Sequence, residues 1–265
     1  MCRMLAYLGP EVRLDALIER PPHSLIVQSY KPAETITSNV NADGFGVAWY
    51  PTKGGDPCVL TSFLPIWADR NIRELGRTIS APCVLASVRN ATPDMPVGPE
   101  AVQPFSRGPI LFMHNGYVQN FRRGVMRRLR DSLDDEFYVA IETTTDSEHL
   151  FALFLNFLAR RGPGPGALAA ALLATLAQVQ AWTKPEGLAA LLNVIVSDGR
   201  TLVGCRQATL PPSPSLYVAE NLAAFPDSVI IASEPIIPGE GWRPIPEGSL
   251  LEVDAVRGVT IGPIG

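Results

Sequence analysis

The sequence predicts an α+β protein made of antiparallel sheets layered with helices, and three observations carry that prediction. Apolar, β-branched segments come first, two long helical segments follow, and short strand-like segments fill the last third. Alternating strand–helix units are missing, which disfavours a parallel doubly wound sheet. A chain of 265 residues with 46% apolar composition can also bury a large core.

Taken in order, residues 3–8 read as a short apolar strand ending at Gly9-Pro10, and residues 14–19 as a short helix stopped by Pro21-Pro22. Residues 45–50 form a β-branched and aromatic strand entered through Asp43-Gly44. Residues 69–78 read as a helix with Asp69 near its N-cap. Residues 83–88 and 110–113 are near-continuous apolar runs, hence buried strands. Thr145-x-x-Glu148 is a capping box, and Leu150, Phe151, Leu153, Phe154, Phe157 and Leu158 give the helix behind it a broad apolar face. The glycine- and proline-rich stretch 160–166 breaks it, and an Ala/Leu-rich helix follows to about residue 182. Strands are then expected at 191–197, 201–205, 215–219, 228–233 and 249–253, with Pro211-Pro212-Ser213-Pro214 as a stiff connection.

Composition excludes several function classes. A net charge of −4 argues against a nucleic-acid binder held by a basic surface. Arg122, Arg123, Arg127, Arg128 and Arg130 are offset at once by Asp131, Asp134, Asp135 and Glu136, as on a solvated helical face. No signal-peptide pattern is visible, and no apolar run is long enough for a membrane span. Cys2, Cys58, Cys83 and Cys205 form no CxxC pair, so neither a zinc site nor a disulfide framework is expected, and the default compartment is cytoplasmic. His23, His114 and His149 lie in no metal-binding spacing, there is no GxSxG elbow, and Gly44-Phe45-Gly46 lacks the third glycine of a dinucleotide loop. No metal or cofactor is implied, and the oligomeric state, homo-oligomer included, stays open.

Cys2 is the best nucleophile candidate. Removal of Met1 leaves a thiol and a free α-amine on one carbon, so nucleophile and base come from the same residue. A reference α-amine has a pKa of about 7.7–8, close to working pH. Arg89 ends a buried strand, where it makes either a structural ion pair or a bidentate clamp on a substrate carboxylate, with Thr92 close by in sequence. His114-Asn115-Gly116 reads either as an Asn-Gly hairpin turn or as an oxyanion hole made by the Asn115 amide and the Gly116 N–H. Asp146, in a first helical turn, either complements the helix dipole or accepts a substrate ammonium. Residues 41–46, with glycines at 44 and 46, read either as a turn or as backbone packed closely against a site.

In that order these residues resemble the class II glutamine amidotransferases, a branch of the N-terminal-nucleophile hydrolases. The segments MCRMLAYLG, PPHSLIVQSY, NADGFGVAWY, PIWAD, SVRNATPDMPV, QPF, FMHNGYVQNF, TTTDSEHLFAL and IIASEP are similar to the stand-alone subfamily of ergothioneine biosynthesis, whose members hydrolyse γ-glutamyl hercynylcysteine sulfoxide. These matches run from residue 1 to about 160, with one more near 233. Two positions depart from the pattern: Pro93 follows Thr92 where synthase-linked relatives carry His, and Gln103 stands where the general group often has His before Pro-Phe.

The resemblance implies one domain over residues 1–265, after loss of Met1, in a four-layer αββα sandwich with two mostly antiparallel sheets between helical layers. It implies that Cys2 is nucleophile and base, that Asn115 and Gly116 form the oxyanion hole, that His114 is among the substrate-binding residues, that Arg89 and Thr92 hold the glutamyl carboxylate, and that Asp146 holds the glutamyl ammonium. The partner is then a small γ-glutamyl molecule, with no nucleic acid and no membrane. For the quaternary ammonium of the leaving group, Trp67 and Asp69 are the candidates, with Tyr30 and Phe105 as further aromatics, and the bland alternative is a core tryptophan beside a helix N-cap. A general glutaminase or γ-glutamyl hydrolase, an ammonia-donating subunit and a non-catalytic binding module are the competing functions.

Overall fold

A computed structural model describes residues 2–34, 40–91, 98–239, 241–254 and 258–264. The strands are β1 (Arg3–Arg13), β2 (Phe45–Tyr50), β3 (Cys58–Ser62), β4 (Ser80–Val88), β5 (Phe105–Arg107), β6 (Ile110–Val118), β7 (Ala190–Ser197), β8 (Thr201–Arg206), β9 (Tyr217–Leu222), β10 (Phe225–Ala232), β11 (Trp242–Pro244), β12 (Ser249–Asp254) and β13 (Gly258–Pro263). The α-helices are α1 (Leu14–Ile18), α2 (Leu25–Tyr30), α3 (Arg70–Thr78), α4 (Met126–Asp131), α5 (Asp135–Tyr138), α6 (Asp146–Arg161) and α7 (Ala167–Thr183).

The strands make two sheets, of order β11-β9-β10-β1-β4-β2-β3 and β13-β12-β8-β7-β6-β5. The pairings within both are antiparallel. Side-chain alternation of period two sorts the core into three layers. Met4, Ala6 and Leu8 of β1 meet Leu111 and Met113 of β6 and Ile195 of β7 between the sheets. Leu5 and Tyr7, one step over, face Leu14, Leu17, Leu25 and Ile72 of α1, α2 and α3. On the far side, Phe112, Val194 and Val196 face Leu150, Phe154, Leu172 and Leu176 of α6 and α7. The result is the expected α+β sandwich of four layers, αββα.

Long apolar runs gave the inner strands, and capping residues gave the long helices. Asp69 accepts hydrogen bonds from the Asn71 and Ile72 amides at the start of α3. Thr145 accepts from the Glu148 amide at the start of α6. The Glu148 carboxylate accepts from the amides of Thr143 and Glu142, two and three residues before the N-cap amide that a simple capping box would engage.

Two expectations are corrected. β1 does not stop at Gly9-Pro10 but continues to Arg13, because a register shift between Leu8 and Val12 lets the proline, which has no amide proton, sit outside the ladder. β6 does not stop at Met113 but runs to Val118, so His114-Asn115-Gly116 is strand interior paired with β7 and not a hairpin turn. No helix among the described residues is long and apolar enough to cross a membrane.

Candidate active site

The site sits at one end of the sandwich, where β1, β4 and β6 present their chain ends together. β1 and β4 pair Arg3 with Val88, so one step further along the same register sets Cys2 across from Arg89. Cys2 continues the even-numbered, inter-sheet parity of Met4 and Ala6, and its Sγ lies 3.8 Å from the Asn90 carbonyl oxygen. Asn115 continues the inter-sheet parity of Leu111 and Met113 from the opposite sheet. Cys2, Arg89, His114, Gly116, Asp146 and Ser147 line a common cavity of about 30 Å³.

The backbone of β6 decides which amides point at that cavity. The Gln119 amide bonds Ala189 on the β7 side, so odd-numbered amides of β6 face β7 and even-numbered ones face away. The even ones are met by side chains. The His114 amide donates to Gln103 Oε1, and the Val118 amide donates to Asp146 Oδ2 at 2.8 Å. The Gly116 N–H lies between them on the same edge, beyond the end of β5, and Gly116 lines the cavity. Asn115 is fully buried next to it, and neither its amide nitrogen nor its amide oxygen has a hydrogen-bond partner among the described residues. Buried polar atoms are normally satisfied, so this amide is an exception to the usual pattern, next in sequence to two residues that line the cavity, His114 and Gly116, although Asn115 itself does not line it. Asn193 stands directly opposite Asn115 on β7, and its amide nitrogen is spent on the Pro214 carbonyl.

Glycine is required at two positions. A Cβ on Gly116 would lie 1.7 Å from the Leu191 carbonyl oxygen and 2.7 Å from His114 Nε2. The absent side chain is what lets the His114 ring lie over residue 116 and reach that carbonyl. On β2, a Cβ at Gly46 would lie 2.1 Å from the Gln103 carbonyl oxygen, so this glycine is required by close packing on the Gln103 backbone, whereas Gly44 has a φ of +115° in the segment that leads into β2.

His114 is a buried, neutral ring. Its Nε2 donates to the Leu191 carbonyl at 2.9 Å, which fixes Nδ1 as the acceptor of the Ser147 hydroxyl at 2.8 Å. Burial pushes its pKa below the usual histidine value, with the Asp146 charge and the Leu191 bond pulling the other way. Asp146, the first residue of α6, is tied by Oδ1 to the Ser147 amide at 2.8 Å and by Oδ2 to β6. The carboxylate is thus fixed with its remaining lone pairs beside the cavity.

The remaining expected residues lie elsewhere. Thr92 and Met1 are outside the described residues. Asp69 spends its carboxylate on the α3 N-terminus, and Trp67 packs edge-on against Tyr30, ring centroids 6.0 Å apart, at the border of the outer core. Neither lines the Cys2 cavity. Phe105 is stacked on Phe151 in the α6 layer, and both border a separate cavity of about 350 Å³ between β5, α6 and the 137–142 segment. Ser147, and the Gln103 side chain that clamps both backbone groups of His114, are parts of the site that the sequence reading missed. The QPF segment was the available signal for Gln103.

Known proteins resemble this chain over nearly its whole length. Residues 22–213 match the family model of glutamine amidotransferases class-II. The gamma-glutamyl-hercynylcysteine sulfoxide hydrolase of Mycolicibacterium smegmatis is 34% identical, with 96% of each chain covered. The protein called probable glutamine amidotransferase DUG3 in Saccharomyces cerevisiae is 32% identical over 96% of this chain and 82% of its own. A glutamine aminotransferase class-II domain protein from Silicibacter pomeroyi superposes over the whole of both chains with a TM-score of 0.71 at 27% identity. With the family model covering most of its length, the chain belongs to the class II glutamine amidotransferases and is an amidohydrolase.

Proposed function

We propose that this enzyme hydrolyses a γ-glutamyl amide through a thioester on Cys2, and that the substrate is γ-glutamyl hercynylcysteine sulfoxide. Once Met1 is removed, the Cys2 amine takes the thiol proton and the thiolate attacks the γ-carbonyl carbon. The Asn115 amide and the Gly116 N–H hold the oxyanion. The C–N bond then breaks, and the leaving amine takes its proton from the Cys2 ammonium. Water hydrolyses the thioester and releases glutamate. Arg89 binds the glutamyl carboxylate, Asp146 the glutamyl ammonium, and His114 keeps the oxyanion strand in place.

The observation that carries this reading is the single cavity shared by Cys2, Arg89, Gly116 and Asp146. The choice of substrate is supported by relatives of that name at 31–34% identity over nearly the full length of both chains. The yeast relative favours a second reading, a glutaminase or ammonia-donating amidotransferase of the same fold. One experiment separates them: kcat/KM for γ-glutamyl hercynylcysteine sulfoxide and for glutamine, with glutamate and ammonia both measured. Preference for the sulfoxide, with glutamate released and no ammonia, is the expected result. Faster turnover of glutamine overturns the substrate assignment.

A further inference from the structure

Behind the nucleophile lies a buried charged cluster. Arg3 and Glu234 are each 1% exposed. β1 and β10 pair Leu5 with Ala232, so the same register, two steps further, sets Arg3 opposite Glu234. Glu234 Oε1 accepts from Arg3 Nε at 2.7 Å and from the Glu34 amide at 3.1 Å. Its Oε2 accepts from His23 Nε2 at 2.6 Å and from the Ala33 amide at 2.8 Å. Burial alone would raise this carboxyl, but the His23 and Ala33 bonds, the Arg3 charge and the Glu34 bond together hold it below the usual range. All three Arg3 nitrogens are committed: Nε to Glu234, one terminal nitrogen to the Glu34 carbonyl, and the other to the Cys2 carbonyl oxygen at 2.9 Å.

That last bond gives the cluster its meaning. Buried ion pairs contribute little net stability, because desolvation offsets their attraction. A terminal residue, in turn, has no preceding peptide to orient it. Its amine has to stay unspent to act as a base, so its carbonyl oxygen is the remaining backbone handle. Fixing that oxygen fixes the plane of the Cys2–Arg3 peptide, and with it the position of the Cys2 Cα that carries both the amine and Sγ.

We propose that Glu234, supported by His23, holds Arg3, and that Arg3 orients the terminal nucleophile by its grip on the Cys2 carbonyl oxygen. These are positioning residues, none of which touches substrate. The proposal rests on the reading of Cys2 as the nucleophile, and it gives a role to His23 and Glu234, which lie in two of the sequence segments noted above, PPHSLIVQSY and IIASEP.

The test compares wild type with Glu234→Gln, Arg3→Lys and His23→Gln. Two quantities are read per folded molecule: kcat with KM, and the rate at which iodoacetamide alkylates Cys2 without substrate, by peptide mass. Exposed Cys58 serves as internal reference, since Cys83 and Cys205 are buried with thiols pushed up to about 12. Expected are at least tenfold lower kcat for Glu234→Gln and Arg3→Lys with KM within twofold, a parallel slowing of Cys2 relative to Cys58, and an intermediate effect for His23→Gln. Lower melting temperatures with unchanged kcat and unchanged Cys2 alkylation would reduce the cluster to a structural ion pair and overturn the proposal. If the two buried variants fail to fold, His23→Gln decides by the same two readouts, because His23 is partly exposed and leaves the Arg3–Glu234 pair in place. Alkylation needs no substrate, so a wrong substrate assignment leaves this test intact. Turnover by Cys2→Ala would instead remove the nucleophile reading itself.

Discussion

Gly116 and the Leu191 carbonyl oxygen are so close that a methyl group on residue 116 would sit 1.7 Å from that oxygen. The contact ties the proposed oxyanion donor to the His114 ring, which crosses residue 116 to donate to the same carbonyl. Gly116→Ala has to push β6 from β7 or expel the ring. We expect a stability loss of about 1–3 kcal/mol, typical of overpacking, together with at least tenfold lower kcat, checked by thermal melting beside kinetics. An alanine variant that melts and turns over like wild type would contradict the geometry.

Asn115→Ala separates a donor from a structural residue. Its side chain makes no hydrogen bond among the described residues, so removing it strands no partner there. Losing one oxyanion donor costs roughly 10²–10³ in kcat. That fall is expected with little change in KM or melting temperature. A large drop in melting temperature with kcat preserved would make Asn115 a packing residue.

Arg89→Lys is expected not to rescue Arg89→Ala. Arg89 is buried at the end of β4 and borders the cavity, and a planar guanidinium matches a carboxylate in a way an ammonium does not. Truncating a buried charge partner costs about 2–5 kcal/mol in binding, so KM is expected to rise more than tenfold in both variants. A near-normal KM for the lysine enzyme would return Arg89 to a structural ion pair.

His149 gives the fold a pH dependence of known sign. Burial pushes its pKa down to about 4, the Thr145 carbonyl bond opposes that, and the Arg130 charge adds to it. Nδ1 donates to Thr145 and Nε2 accepts from Arg130, so protonation removes a buried acceptor. A depressed folded-state value means that the contribution is complete above the ordinary histidine value near 6.5 and is lost as pH falls toward 4, by about 1.4 kcal/mol per pH unit in that window. Melting temperatures between pH 7 and 4.5 are expected to fall less steeply for His149→Gln than for wild type, and equal slopes would refute the assignment.

The sequence revealed what local pattern encodes. Near-continuous apolar runs gave the inner strands, Asp69 and Thr145 gave two helix starts, and Cys2, Arg89, His114, Gly116 and Asp146, which share one cavity, stood out in separate motifs. The short edge strands β3, β11 and β13 escaped because they are partly exposed and bury no continuous face. α2 escaped because six residues after a double proline make too short a period to read. Asn-Gly misled as a turn signal, since the glycine answers a steric need across β7 rather than a positive φ. Arg3 and Glu234 are 231 positions apart, and Gln103 meets His114 through backbone atoms, so neither pairing leaves a local trace.

The central claim is that Cys2 acts as an N-terminal nucleophile, and intact-mass measurement of active enzyme mixed rapidly with substrate tests it most directly. The account expects every active molecule to lack Met1 and to carry a transient γ-glutamyl adduct that Cys2→Ala never acquires. Full activity from protein that retains Met1, or an adduct on the Cys2→Ala variant, would contradict it.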